Sequence, residues 1–148
     1  MNIRKAITSD IDAIHALGSA VEEFSVSNKV VTFWPKHILL NCANSETDLL
    51  LIAEEKDEII GFIIVNNSLV FKKAIVENIF VSPRFREQGA AKKLLTVALD
   101  LINATDCEYI CALMDDDKAI QFYESNGFKK GRNFAWLDKV ISKEFSKS

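Results

Sequence analysis

The feature that most constrains the fold is a change of hydrophobic period between residues 74 and 114. Ala74 to Val81 is an apolar run of strand type, broken only by Glu77 and Asn78. From Gly89 to about Ala104 the apolar spacing becomes three and four. Leu94, Leu95, Ala98 and Ile102 fall on one helical face, and Lys92, Lys93, Thr96, Asp100 and Asn103 on another. Tyr109 to Met114 is again an apolar strand. Strand, helix and strand at this spacing form a βαβ unit, whose strands run parallel with a right-handed crossover. The turn into the helix carries Arg86, Gly89, Ala90 and Ala91. The first turn of a helix has N–H donors without partners and a partial positive charge, which suits an anion. Gly89 and Ala91 lack bulk, so a diphosphate can approach the backbone closely. The turn reads as the seat of a pyrophosphate-bearing cofactor; the plain alternative is a tight turn with no ligand.

The rest of the chain is organised around that unit. Asn2 to Ile7 reads as a short strand, and Thr8-Ser9-Asp10 offers helix caps. Ile11, Ile14, Leu17, Val21 and Phe24 predict a helix running to about Phe24. Phe33-Trp34-Pro35 opens a second short helix with Ile38, Leu39 and Cys42 on its apolar face. Leu49–Ala53 and Ile59–Val65 predict an antiparallel hairpin, joined by a polar loop longer than the two-residue type. Asn66-Asn67-Ser68 reads as a turn. After Met114, Asp116 or Asp117 caps a helix with Ile120, Phe122 and Tyr123, and Gly127 stands where a helix-ending glycine belongs. Phe128 to about Lys130 and Phe134 to Ile141 predict two closing strands around Gly131, followed by a polar tail. The expected fold is α/β: a mixed, mostly antiparallel sheet of about seven strands with a central parallel βαβ pair, in one domain spanning residues 1–148.

Composition narrows the function classes. A net charge of −3 gives no basic excess for neutralising phosphates, so nucleic-acid binding is not expected. The longest apolar runs are too short to span a bilayer, and no membrane role is expected. Cys42, Cys107 and Cys111 have no C-x-x-C spacing, and the N-terminus has no secretory pattern. Reduced thiols and a cytoplasmic location follow as expectations. His15 and His37 have no visible partners, so no metal site is expected.

Two stretches carry a family resemblance. Val81-x-Pro83-x-Phe85-Arg86-x-x-Gly89-x-Ala91-x-x-Leu94-Leu95 resembles the acetyl-CoA signature of the GCN5-related N-acetyltransferases, whose core is R/Q-x-x-G-x-G/A. Ala119-Ile120-x-Phe122-Tyr123-Glu124-x-x-Gly127-Phe128 resembles the second signature of that family. The order of elements matches too, so the resemblance covers essentially the whole chain. It implies two parallel strands that splay apart around the pantetheine arm of acetyl-CoA. The arm would pair with backbone at Ile79, Phe80 and Val81. The pyrophosphate would rest on Arg86, Glu87, Gln88, Gly89, Ala90, Ala91 and Lys92. A Rossmann-type nucleotide site fits less well, because G-x-G-x-x-G is absent.

The implied reaction is transfer of an acetyl group to a primary amine by direct attack in a ternary complex. Tyr123 matches the family tyrosine near the thioester sulfur; its alternative role is a packed phenol. Glu77, a carboxylate in an apolar strand, is the candidate base, because burial would raise its pKa; a solvated or ion-paired strand residue is the alternative. The family often carries asparagine seven residues before the tyrosine, where this chain has Asp116. Glu22, Phe24 and Trp34 are the candidate amine-binding residues, with Glu23 and Phe33 beside them, since cations favour acidic and aromatic groups. The acceptor is a small-molecule or peptide amine. The runner-up reading is a non-catalytic acyl-CoA sensor of the same fold, and a third is an enzyme using a larger acyl group. A homodimer through the closing strands is a further expectation.

Overall fold

A computed structural model describes residues 1–27 and 31–146. Its centre is a five-stranded sheet in simple sequential order: β1 (Asn2–Lys5), β2 (Leu49–Glu55), β3 (Glu58–Ser68), β4 (Lys73–Val81) and β5 (Tyr109–Ala112). The first three pairings are antiparallel; β4 and β5 run parallel, as the βαβ reading requires. Helices α1 (Ile11–Ser19) and α2 (Lys36–Ala43) cover one face, and α3 (Ala90–Asn103) and α4 (Asp117–Ser125) lie on the other. Strand alternation divides the core between them. Leu50, Ile52, Phe62, Ile64 and Phe80 pack with Ile14, Phe33 and Leu39 under α1 and α2. Leu51, Ala53, Ile63, Val65, Val76 and Val81 pack with Leu94, Leu95, Ala98 and Ile102 of α3. Among the described residues no helix is long and apolar enough to cross a membrane.

The structure departs from the sequence expectations at four places. The sheet has five strands among the described residues, where about seven were expected. Residues 128–142 form no strand, and Phe134, Trp136, Leu137 and Ile141 stand exposed. These apolar side chains find no sheet face to bury against, and the outer edge of β5 has no described partner strand. The helix from Ile11 stops at Ser19, and Glu22–Phe24 is a separate 3₁₀ turn after an extended Val21, although Phe24 still packs inward. The β2–β3 loop has only two residues: Lys56 and Asp57 both take positive φ (49° and 63°), the hairpin geometry matched to strand twist, and Glu55 pairs with Glu58. Finally, Asn66-Asn67-Ser68 continues β3, and the turn to β4 falls at residues 69–72.

Arg4 fastens the entry of the chain. Its guanidinium donates to both Asp10 carboxylate oxygens (2.8 and 3.1 Å) and to Glu54 on β2 (3.1 Å), while Asp10 also accepts the Ile7 N–H. The polar tail forms a 3₁₀ turn, Lys143–Ser146, that sets Phe145 edge-on against Trp34.

Candidate active site

Two local irregularities of β4 build the site. The first is a bulge. Ile64 pairs with Asn78 but Val65 pairs with Val76, so Glu77 is an extra residue on β4. The second is the end of the parallel pairing. Val76 faces Ala112, β5 stops there, and Glu77 to Val81 run on without a β5 partner. The bulge therefore stands where the gap between the two strands opens.

Hydrogen-bond alternation decides which backbone groups face that gap. The Ser82 N–H donates to Ile60 O on β3 (2.8 Å), and Phe80 lies opposite Phe62 two residues earlier. In an antiparallel ladder this turns the N–H and C=O of Phe80 towards β3 and those of Ile79 and Val81 away from it. The Val81 carbonyl accepts from Arg86 Nε at 3.0 Å, on the open side. Of the three strand residues expected to meet a pantetheine arm, Ile79 and Val81 present backbone groups to the gap. Phe80 is held by β3, with its ring stacked on Phe62.

At the far end of the gap lies the turn into α3. A 3₁₀ turn at Pro83–Phe85 leads to Glu87 at φ 62° and Gly89 at φ 84°. The Lys93 N–H is the first to bond within the helix, to Gly89 O. The N–H groups of Gly89, Ala90, Ala91 and Lys92 before it have no acceptor among the described residues. A Cβ added at Gly89 would meet nothing within 4 Å, so the space in front of these donors is open. Four free amides at a helix start, below a strand edge with unpaired amides, fit a ligand that joins a pyrophosphate to an amide-bearing arm.

A cavity of about 410 Å³ lies on the α2 side of the sheet, walled by Trp34, Asn41, Cys42, Asp48, Asn66 and Glu77 among others. The bulge turns the consecutive residues Glu77 and Asn78 to this side. Trp34 Nε1 donates to Asn78 Oδ1 at 2.7 Å, which fixes the indole as one wall. Glu77 is half-buried and has no hydrogen bond or ion pair among the described residues. Burial first, and the Asp48 carboxylate second, push its carboxyl above the usual glutamate range. Burial chiefly, with both carboxylates adding, pushes the Cys42 thiol up to about 12.

Tyr123 lies on the opposite, α4 side. It is 6% exposed, its ring packs edge-on against Phe122 and Phe128, and burial raises its pKa. Its hydroxyl has no hydrogen-bond partner among the described residues. Glu77 and Tyr123 thus stand on the two faces of the sheet, with the β4–β5 gap between those faces. Asp116 caps α4, accepting the Ala119 N–H at 2.9 Å. Of the expected amine-binding residues only Trp34 lines the cavity. Glu22 and Glu23 are exposed, and Phe24 and Phe33 pack into the aromatic core with Phe62. Asp48 escaped the sequence reading because it looks like a polar residue before a strand. Only the fold brings it to Glu77.

A parallel strand pair that parts beside a bulge, ending at a helix start with free amides, defines an acyl-CoA-dependent acyltransferase fold. The comparisons agree. The model of the acetyltransferase (GNAT) family matches residues 18–128. An uncharacterized N-acetyltransferase, YhfO of Bacillus subtilis, is 33% identical over 140 residues, covering 90% of this chain and 93% of its own. A [ribosomal protein bS18]-alanine N-acetyltransferase of Haemophilus ducreyi is 33% identical over 99 residues, 66% of each chain. The aminoglycoside N-acetyltransferase AAC(6')-Iy, solved in complex with CoA, shares the fold with a TM-score of 0.72 at 17% identity. That match covers 95% of this chain and all of the other (100%). The chain belongs to the GNAT acetyltransferase family.

Proposed function

We propose that the protein transfers an acetyl group from acetyl-CoA to the primary amine of a small molecule, by direct attack with donor and acceptor bound together. The observation that carries this reading is the coincidence of the Glu77 bulge, the end of β4–β5 pairing and the cavity beside Trp34. An amine acceptor is supported by the relative that acetylates an alanine of a ribosomal protein and by the fold neighbour that acetylates an aminoglycoside.

Bound acetyl-CoA supplies an activated thioester. The N–H groups of Gly89 to Lys92 hold its pyrophosphate, with Arg86, Glu87 and Gln88 in the same turn, and Ile79 and Val81 offer backbone pairing to its arm. The outward N–H groups of Ile79 and Val81 are donors fixed before any charge develops, which is where electrostatic help is strongest. An alkyl ammonium must lose a proton before it can attack. Glu77, with a raised pKa and no competing partner, takes that proton on its carboxylate. Tyr123 keeps its proton on Oη, because burial disfavours the phenolate, and is a proton source on the α4 side. Burial raises both Cys42 and Cys111, so neither is a ready thiolate, which favours direct attack over an acetylated enzyme.

The test is calorimetric titration with acetyl-CoA, followed by thiol release against a panel of amines at alkaline pH. Binding with amine-dependent release supports transfer. Binding without release on any amine favours a non-catalytic acyl-CoA module. In Tyr123→Phe the expected outcome is a lower kcat with unchanged acetyl-CoA affinity.

A further inference from the structure

Asp48 has a place in the cavity that proton transfer does not use. It lies in the loop before β2, and its backbone and side chain are both tied down. Its N–H donates to Ser45 Oγ at 3.0 Å, and its Oδ1 accepts the Asn67 N–H at 2.8 Å. Its second carboxylate oxygen has no partner among the described residues. Asn67 pairs with Ala74 on β4, three residues before Glu77, so Asp48 is anchored roughly 10 Å along the sheet from the bulge, at about 3.4 Å per residue. Both carboxylates act on the Cys42 thiol, and among the described residues no lysine, arginine or histidine lines the cavity with them. The Trp34 indole lines the same cavity, a surface that attracts cations and is braced by Asn78 and Phe145.

We propose that the acceptor is an aliphatic amine bearing a second cationic group, and that Asp48 is the specificity-determining residue that holds this second charge while Glu77 serves the reacting nitrogen. The inference rests on the acyl-transfer reading of the same site and adds the acceptor's chemistry. A monoamine satisfies one carboxylate and leaves the other without a counter-charge in a half-open cavity that its own side chains supply with no cation among the described residues. A diamine satisfies both. An amino acid of matching length sets its own carboxylate against Asp48 and is excluded. The volume of about 410 Å³ suits such a small, extended molecule.

The test compares three acceptors of one chain length: diaminobutane, butylamine and aminobutyrate, in which a carboxylate replaces the second amine. Binding is read by calorimetry, and kcat/KM by thiol release from acetyl-CoA. A hydrogen bond to a charged group predicts that diaminobutane binds about ten- to a hundredfold more tightly than butylamine, with aminobutyrate weakest. Asp48→Asn keeps an oxygen for the Asn67 N–H and brings the diamine and the monoamine close to equal affinity. Melting temperature and acetyl-CoA affinity check that this variant is folded, and the comparison of acceptors on the unaltered protein does not depend on it. Equal affinity for the two amines, or a preference that Asp48→Asn leaves intact, overturns the inference, while thiol release on either amine still upholds acyl transfer. A diamine preference that Asp48→Asn abolishes upholds Asp48 as the residue that selects the second charge even where no amine releases thiol; the transfer reading would then fail, and the diamine would be a ligand and not an acceptor.

Discussion

Gly61→Ala tests whether the open edge of β4 is positioned by its neighbour. Gly61 faces Val81 across the β3–β4 ladder, at the end of the gap. A Cβ added there would stand 2.5 Å from the Phe80 carbonyl oxygen. That is about 0.8 Å short of the roughly 3.3 Å at which carbon and carbonyl oxygen make close contact. The obstacle is backbone, so no side chain can swing aside, and β4 must move away from β3 towards the gap. Overpacking of this kind costs about 1–3 kcal/mol. For a chain of this length that lowers the melting temperature by roughly 3–10 °C. The same shift displaces the Ile79 and Val81 amides, and misplacement approaching 1 Å can cost on the order of a hundredfold in turnover. Thermal melting measures the first effect; acetyl-CoA titration and thiol release measure the second. If Gly61→Ala melts with the wild type, the close approach is not real. If it melts lower yet binds acetyl-CoA and turns over unchanged, the backbone of Ile79 and Val81 takes no part in the site.

Three further outcomes follow from the same physics. Glu77 has a folded pKa above its ordinary value of 4.5, so its ionisation weakens the fold at higher pH; Glu77→Gln should be more stable than wild type at pH 8, by an amount that vanishes below about pH 4.5 in pH-dependent urea melts. Gly89→Val places a side chain at φ 84° with nothing nearby to clash, so the expected stability loss is about 1–2 kcal/mol of backbone strain. Calorimetry should show a much larger loss of acetyl-CoA affinity, because the new side chain stands before the free amides of α3. Asp10 has a lowered pKa, through its hydrogen bonds to Arg4 first, and its contribution is present above about pH 3.8 and lost as the pH falls through the lowered value. Asp10→Asn should therefore cost about 1.5–3 kcal/mol at neutral pH, a difference that closes in acid.

The βαβ unit was legible because a short apolar run gives way to a spacing of three and four across Arg86–Gly89, and side-chain burial in α3 follows that stripe. The cap of α4, expected at Asp116 or Asp117 and found at Asp116, was legible for a local reason: it belongs to short-range helix-end chemistry. What stayed hidden depends on partners distant in sequence. The bulge at Glu77 is a matter of register between β3 and β4, and only a lone carboxylate in an apolar run hinted at it. Asp48 gains its role from the Asn67 N–H, 19 positions away, and from Glu77 beyond that. Phe24 looked like a pocket residue but is surrounded by Phe33, Phe62 and Phe80, a cluster that no local pattern announces. The Lys56-Asp57 turn lacks the glycine or asparagine that marks a tight hairpin. Residues 134–141 show the opposite failure, since their strand-like apolar content had no face to cover.

The central claim is that acyl transfer depends on the Glu77 carboxylate at the mouth of the β4–β5 gap. The direct measurement is kcat/KM for amine-dependent thiol release from acetyl-CoA as a function of pH, in wild type and Glu77→Gln. The account predicts an acid limb in the wild type at a pKa above 4.5, and its loss in Glu77→Gln together with a fall of about a hundred- to ten-thousandfold, at unchanged acetyl-CoA affinity. Superimposable profiles for the two proteins would contradict it.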